Sequence, residues 1–338
     1  MKPLRVIVRF ATALVLSMNA LPSESTAAER VLRAGIIGCD TSHCVAFTEL
    51  LNAPDAAGPR ADVEVVAAYP GGSDDIPTSR DRVAGYVEKL RSMNVEIVDS
   101  VDALVAKVDV VLLESVDGRA HLEQVRPVFA AGKRVFIDKP LAGNLKDAVE
   151  IAQLAREHNV PWFSSSALRY SRPTTTLAAD ASVGKVTGVD AFSPCELEPH
   201  HTDLVWYGVH GVETLYTLMG PGCETVTRVH SKGSDVAVGR WRDGRIGTFR
   251  GIRDGRQDFG ATVFGATGVA TATGFDGYGA LVDEICKFFV TGKPPIEPEV
   301  TLEMFAFMEA ADESKRRGGA PVSLAEVMKA VGVEQAQK

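Results

Sequence analysis

Between Val31 and Tyr170 short apolar runs alternate with amphipathic ones, and that alternation restricts the fold of this chain more than any other feature. Val31 to Ile37, Val63 to Tyr69, Val95 to Val98, Val108 to Leu113, Lys133 to Ile137 and the stretch from Pro161 to Phe163 read as buried strands. Between them apolar residues recur at helical spacing. Ala46, Phe47, Leu50 and Leu51 follow the first strand, and Ser79 to Met93, with Ser79 as expected N-cap, follows the second. His121 to Ala131 is a third such run, and a fourth starts at the N-cap Asn144, with Ala148, Ile151, Ala152 and Ala155 on one face. Strands that are apolar throughout need cover on both faces, which helices between them supply, so a Rossmann-type doubly wound parallel sheet is predicted.

In such a sheet ligands lie beyond the carboxyl ends of the strands, so the polar residues at those ends matter most. The first strand ends in Gly38-Cys39-Asp40-Thr41-Ser42-His43. In the dinucleotide fingerprint G-x-G-x-x-G the second glycine lets the backbone approach a pyrophosphate, and here Asp40 and His43 stand at the second and third glycine positions. Thr41 and Ser42 still offer hydroxyls and amides at a helix start, where an anion is favoured. After the second strand, Tyr69-Pro70-Gly71-Gly72 lacks the acid that holds a ribose, and Asp74 and Asp75 come later than usual. The next two rims carry Glu114, Ser115, Asp117 and His121, and Asp138-Lys139-Pro140. All four rims except that of the second strand are candidate cofactor contacts.

From Ser171 the pattern changes. Asp243-Gly244 and Asp254-Gly255 each sit between extended segments, which are hairpin signals, so an α+β domain with a large, mainly antiparallel sheet is expected over residues 171–338, after a first domain over 29–170. A helix from Leu204 to Met219 would place Trp206, His210, Glu213 and Thr217 on one face. With His200 and His201 just ahead of it, and Arg169 and Tyr170 at the end of the alternating half, that face is the candidate substrate surface. Tyr278 to Val290 and Thr301 to Arg317 read as helices that close this second half.

The totals narrow the classes of function. A chain of 338 residues with net charge −8 and no basic cluster has no electrostatic footprint for nucleic acid or an anionic membrane. Five scattered cysteines without a C-x-x-C pair make neither a disulfide framework nor a zinc site. His200, His201, Asp203, His210 and Glu213 match no standard zinc spacing, and no metal is expected. The N-terminus runs from Lys2, Arg5 and Arg9 through the apolar Phe10 to Leu16 to small residues ending at Ala28, the order of a secretory signal over residues 1–28. Export, in a bacterium to the periplasm, is therefore expected, whereas a start at Met18 would leave a cytoplasmic protein.

Taken together, Gly35-Ile36-Ile37-Gly38, His121, Ala131-Gly132-Lys133, Asp138-Lys139-Pro140, Thr291-Gly292-Lys293-Pro294 and Glu309-Ala310-Ala311-Asp312-Glu313-Ser314 resemble the signatures of the Gfo/Idh/MocA oxidoreductases. The resemblance runs from about Leu32 to Leu324. It implies NAD or NADP in the first domain, a sugar, polyol or related substrate against the second, and a broad sheet that can join subunits into a homo-oligomer. It also implies Lys139 as the active-site lysine, usually before a cis proline bond, and His210 as the histidine facing the cofactor. The aspartate expected four residues before that histidine is Trp206 here. The expected activity is hydride transfer to or from a secondary hydroxyl or carbonyl. Two alternatives stay open: a glycoside hydrolase that retains its nicotinamide, and an exported carbohydrate-binding protein without a cofactor site.

Overall fold

In the computed structural model, which describes residues 31–333, the alternation becomes a six-stranded sheet. Strand β1 (Leu32–Ile37) leads to α1 (Ser42–Leu51), β2 (Val63–Tyr69) to α2 (Pro77–Ser92), and β3 (Glu96–Ile97) to α3 (Val101–Val105). Then β4 (Val110–Leu113) leads to α4 (Gly118–Ala130), β5 (Arg134–Asp138) to α5 (Leu145–His158), and β6 (Trp162–Ser165) ends the sheet. The order is β3-β2-β1-β4-β5-β6 and every pair is parallel. The order reverses between β1 and β4, which is where open α/β sheets bind their ligands. Residues 1–28, read as a secretory signal, lie outside the described residues.

Helix α2 starts at Pro77 rather than behind a Ser79 cap. Proline suits the first helical position because its fixed φ and missing N–H cost nothing there, and Ser79 is thereby left inside the first turn. Helix α4 starts three residues before the expected His121, capped by the Asp117 carboxylate on Arg119 N. Gly118 permits this: a Cβ there would stand 2.6 Å from the Ala142 carbonyl carbon. Helix α5 has the expected Asn144 cap and ends at Asn159 in the left-handed region.

The second half begins with α6 (Arg172–Ala179), β7 (Val186–Pro194), α7 (Asp203–Trp206) and α8 (Val209–Met219). Strands β8 (Cys223–Ser231), β9 (Ser234–Trp241), β10 (Ile246–Ile252), β11 (Gly260–Gly265) and β12 (Val269–Thr273) follow. Helices α9 (Gly279–Thr291) and α10 (Pro298–Arg316), β13 (Val322–Ser323) and α11 (Leu324–Ala330) complete the fold. The sheet order is β12-β11-β7-β10-β9-β8-β13, antiparallel except where β10 lies parallel to β7. Asp243-Gly244 does close a hairpin, with Gly244 at φ +86°. Asp254-Gly255 does not, because β10 and β11 lie on either side of β7 and their connection passes across it.

Helices α8 and α10 cover the inner face of this sheet through Val212, Leu215, Tyr216, Phe305 and Phe307. The outer face leaves Val229, Ile246, Phe264 and Val269 exposed. Helix α9 does not close the second half as expected. It packs Leu281, Ile285, Phe288 and Phe289 with Phe47, Phe136 and Phe163 on the first sheet, since its apolar stripe finds an aromatic cluster there. A fully buried Arg228 ties β8 to β9, α7 and α10 through Asp235 at 2.7 Å, Asp203 at 2.8 Å and Asp312. A buried guanidinium is tolerated only when paired in this way.

Candidate active site

The carboxyl ends of β1, β4 and β5 open onto a cavity of about 320 Å³, closed on the far side by α8 and the segments around Phe259 and Phe275. Its lining brings together Thr41, Ser42 and His43 from the start of α1, Lys139 from the end of β5, and His210 from α8. These residues come from both halves of the chain and were singled out from sequence. Lys139 precedes Pro140 in a cis peptide. His210 is half-buried at the cavity wall, its Nδ1 is 2.7 Å from Ser166 Oγ, and desolvation, with Lys139 and His43 beside it, holds its pKa well below the ordinary histidine value. The imidazole of His210 is therefore neutral at ordinary pH.

Residues that sequence reasoning did not single out complete the wall: Arg82 from α2, Ser166 after β6, Tyr207, Phe259, Phe275 and Tyr278. The aromatic residues lie in loops with no period, so only tertiary placement reveals them. Arg82 carried a weak signal as a basic residue in a helix opening beside the nucleotide crevice.

The first turn keeps the glycine it needs and disposes of the carboxylate that looked out of place. Gly38 has φ +95°, and a Cβ there would stand 2.3 Å from Ser115 N, so no other residue fits. Asp40 turns inward, fully buried, accepting from Ser79 Oγ at 2.6 Å and from Val116 N at 3.0 Å. Burial raises its pKa against those two hydrogen bonds. Its carboxylate does not face the cavity, and the first residues of α1 do. A helix N-terminus lined by Thr41 and Ser42, beside Arg82 and with no carboxylate in the cavity lining, fits the pyrophosphate of a dinucleotide.

Other expected contacts lie elsewhere. Cys39 is buried, its Sγ 3.7 Å from Tyr69 O. Glu114 points into the core, where neither carboxylate oxygen has a hydrogen-bond partner, and burial, with Asp138 and Asp40 adding, raises its pKa well above the usual range. A carboxyl buried in that way, absent from the cavity lining, is not a ligand contact. Ser115 Oγ bonds Gln124, and His121 is spent between Ser115 O at 2.8 Å and Leu141 O at 3.1 Å.

The substrate face drawn on one helix is also redistributed. The expected helix is interrupted between α7 and α8 at Tyr207, where φ is −130°. Trp206 consequently packs on His201, ring centroids 4.8 Å apart, and Tyr207 takes its place at the cavity. Arg169 and Glu213 are bound to each other behind the wall, and Tyr170 is largely buried. Of the expected substrate contacts only His210 lines the cavity. Asp203 is used by Arg228 and Lys315.

His200 instead meets the loop between β2 and α2, and His201 the start of α4. Both bond Glu198, His201 Nε2 lies 3.1 Å from Asp117, and His200 Nε2 lies 3.6 Å from Asp75. The loop itself runs as a strap across the carboxyl ends of β1 and β4. Cys39 N donates to Pro70 O at 2.6 Å, Ser73 Oγ to Asp117 at 2.5 Å, and Arg119 to Asp75 at 2.8 Å. Burial acts to raise the Asp117 pKa, but the contacts of the His201 ring, of the Arg119 guanidinium and amide, and of Ser73 hold it below the usual carboxylate range.

The family model of the Gfo/Idh/MocA oxidoreductases, described as an NAD-binding Rossmann fold, matches residues 32–165. A 1,5-anhydro-D-fructose reductase of Ensifer adhaerens is 32% identical over 127 residues, 36% of this chain, and the chain spans 38% of that relative's length. Among solved structures, scyllo-inositol dehydrogenase from Lactobacillus casei with bound NAD(H) and scyllo-inositol superposes with TM-score 0.70 at 13% identity, over 88% of this chain and 100% of its own. Myo-inositol 2-dehydrogenase from Lactobacillus plantarum does so with TM-score 0.71 at 17% identity, over 87% and 99%. These two likenesses carry the fold, including the second sheet. Over residues 32–165, where the glycine turn and the Lys139 rim are in place, the chain is similar to the NAD-binding Rossmann fold of the Gfo/Idh/MocA oxidoreductase family.

Proposed function

We propose that this protein is an NAD(P)-dependent oxidoreductase acting on a secondary hydroxyl or carbonyl of a sugar, polyol or related compound. The observation that carries the reading is the convergence of Lys139, His210 and the start of α1 on one cavity. Thr41, Ser42 and Arg82 would hold the pyrophosphate, and the nicotinamide end would lie toward Lys139. When bound, the cofactor supplies the acceptor or donor of a hydride. The chain's own task is to bind and orient a hydroxyl, exclude water from it, and manage its proton. Lys139 and His210 bracket the place for that hydroxyl, and Tyr207, Phe259, Phe275 and Tyr278 offer faces for a sugar ring. The order of residues 1–28 supports export of the enzyme.

The first measurement is thermal unfolding with millimolar NAD or NADP. A rise in melting temperature with one of them is expected, and no rise with either would sink the reading in favour of a cofactor-free binding protein. Net reduction of cofactor by a polyol supports a dehydrogenase, whereas sugar release without net reduction points to the hydrolase. Lys139→Ala should abolish turnover and keep the cofactor-induced shift.

A further inference from the structure

We propose that His43 and Asp138 form the acid–base pair of this site: Asp138 fixes the imidazole, and His43 Nε2 exchanges the proton of the reacting hydroxyl. The inference rests on the oxidoreductase reading and assigns the proton step within it.

The geometry is that of a histidine held from behind by a carboxylate. His43 Nδ1 lies 2.7 Å from Asp138 Oδ2, and both side chains are nearly inaccessible, at 8% and 2%. Burial alone would raise the Asp138 pKa, but the charges of His43 and Lys139 and the hydrogen bonds of His43 and the Lys139 amide outweigh it and hold the carboxyl below its usual value. An ionised Asp138 accepts a hydrogen bond and cannot donate one. The proton of a neutral His43 therefore sits on Nδ1, and the lone pair on Nε2. The ring cannot easily turn away, because it stacks on Phe47 at 5.2 Å and meets the edge of Tyr278 at 4.7 Å. His43 lines the cavity beside Lys139, and its Nε2 has no hydrogen-bond partner among the described residues.

His210 is the weaker base. Its Nδ1 is taken by a neutral hydroxyl, no carboxylate stands behind it, and burial depresses its basicity. Among the described residues His43 is the one histidine lining the cavity that has a carboxylate partner. In oxidation the substrate O–H bond breaks and its proton passes to His43 Nε2, while the C–H electron pair leaves as hydride to the nicotinamide cofactor and the C=O bond forms. The imidazolium so made is stabilised by Asp138, and Lys139 offsets negative charge on the oxygen. Reduction reverses each transfer. Proton transfer placed in this way contributes about 10²–10⁴ in rate.

The test is carried out on the full chain in two measurements. Nitrogen-15 NMR of the imidazoles should show His43 as the Nδ1–H tautomer, and Asp138→Asn should change that tautomer. In steady-state turnover of myo-inositol and 1,5-anhydro-D-fructose with NAD and NADPH, His43→Asn should lower kcat about a hundredfold or more with KM little changed, and the cofactor-induced melting shift should remain. An Nε2–H tautomer in the wild type, or kcat of His43→Asn within a factor of about two, overturns the proposal. His43→Gln serves if the asparagine variant does not fold. If the wild type turns over neither compound with either cofactor, the oxidoreductase reading is what fails, and the tautomer alone then decides whether the pair exists.

Discussion

The strap between β2 and α2 makes cofactor affinity adjustable from a residue that does not line the cavity. Ser73 Oγ reaches from the β2 side of the sheet to Asp117 at the start of α4, 2.5 Å away, over the crevice where the strand order reverses. A cavity of about 320 Å³ lies at the small end of ligand sites, so the adenosine half of a dinucleotide has to enter along the strapped crevice. Binding then includes the work of lifting the strap, and the apparent Kd is the intrinsic value divided by the lifted fraction. A hydrogen bond to an ionised group is worth about 1.5–3 kcal/mol. Arg119 stays on Asp117 when Ser73 is removed, so the lower end applies, and about 1.5 kcal/mol is about tenfold in affinity. Isothermal titration of NAD and NADP into wild type and Ser73→Ala should show Kd falling about tenfold in the variant. An unchanged or weaker affinity would refute the argument, since the strap would then be part of the cofactor's own seat.

The buried Arg228 cluster and the Asp117 carboxylate give two stability predictions. Arg228→Ala leaves Asp312 and Asp235 short of a buried partner and should cost about 3–5 kcal/mol, read as a lower urea midpoint; a loss under about 1 kcal/mol would mean that Arg253 and Lys315 suffice. Because the folded-state pKa of Asp117 is depressed, its contribution is present above the unfolded value near 3.9 and is lost as pH falls below it. Melting temperature between pH 5 and 3 should therefore fall less steeply in Asp117→Asn than in wild type, and parallel curves would count against this assignment.

The first sheet could be read from sequence because its strands are apolar on both faces, a pattern that local composition alone imposes. Central strand Val110–Leu113 is buried at every position. The second half was harder for a physical reason. Its strand pairing is decided by contacts far apart in sequence, so an Asp-Gly turn at 254–255 looks like the one at 243–244 while serving a crossover. The end of α7 shows the same limit. Trp206 and His210 share a helical face only if the helix is continuous, and the backbone leaves the helical region at Tyr207, where φ is −130°. Lys139 and His210 were identifiable from the family pattern, whereas the aromatic wall is assembled from loops and became visible only when they were folded together.

The two residues that spoil the glycine fingerprint are best understood together. Asp40 and His43 stand where small residues normally allow close approach, and each has found a partner in a neighbouring rim: Asp40 in Val116 N after β4, His43 in Asp138 at the end of β5. Both contacts pull the start of α1 toward the β4 and β5 side of the sheet. Neither puts a carboxylate into the cavity, because Asp40 faces the core and Asp138 lies behind an imidazole. A turn degraded by drift would leave a buried charge without a partner, at a cost of several kcal/mol. Here the substituted side chains are satisfied, and one of them presents a basic nitrogen to the place where a hydroxyl would react. The departures from the fingerprint therefore read as a change in what the turn does, from simply admitting a pyrophosphate to also supplying the proton carrier.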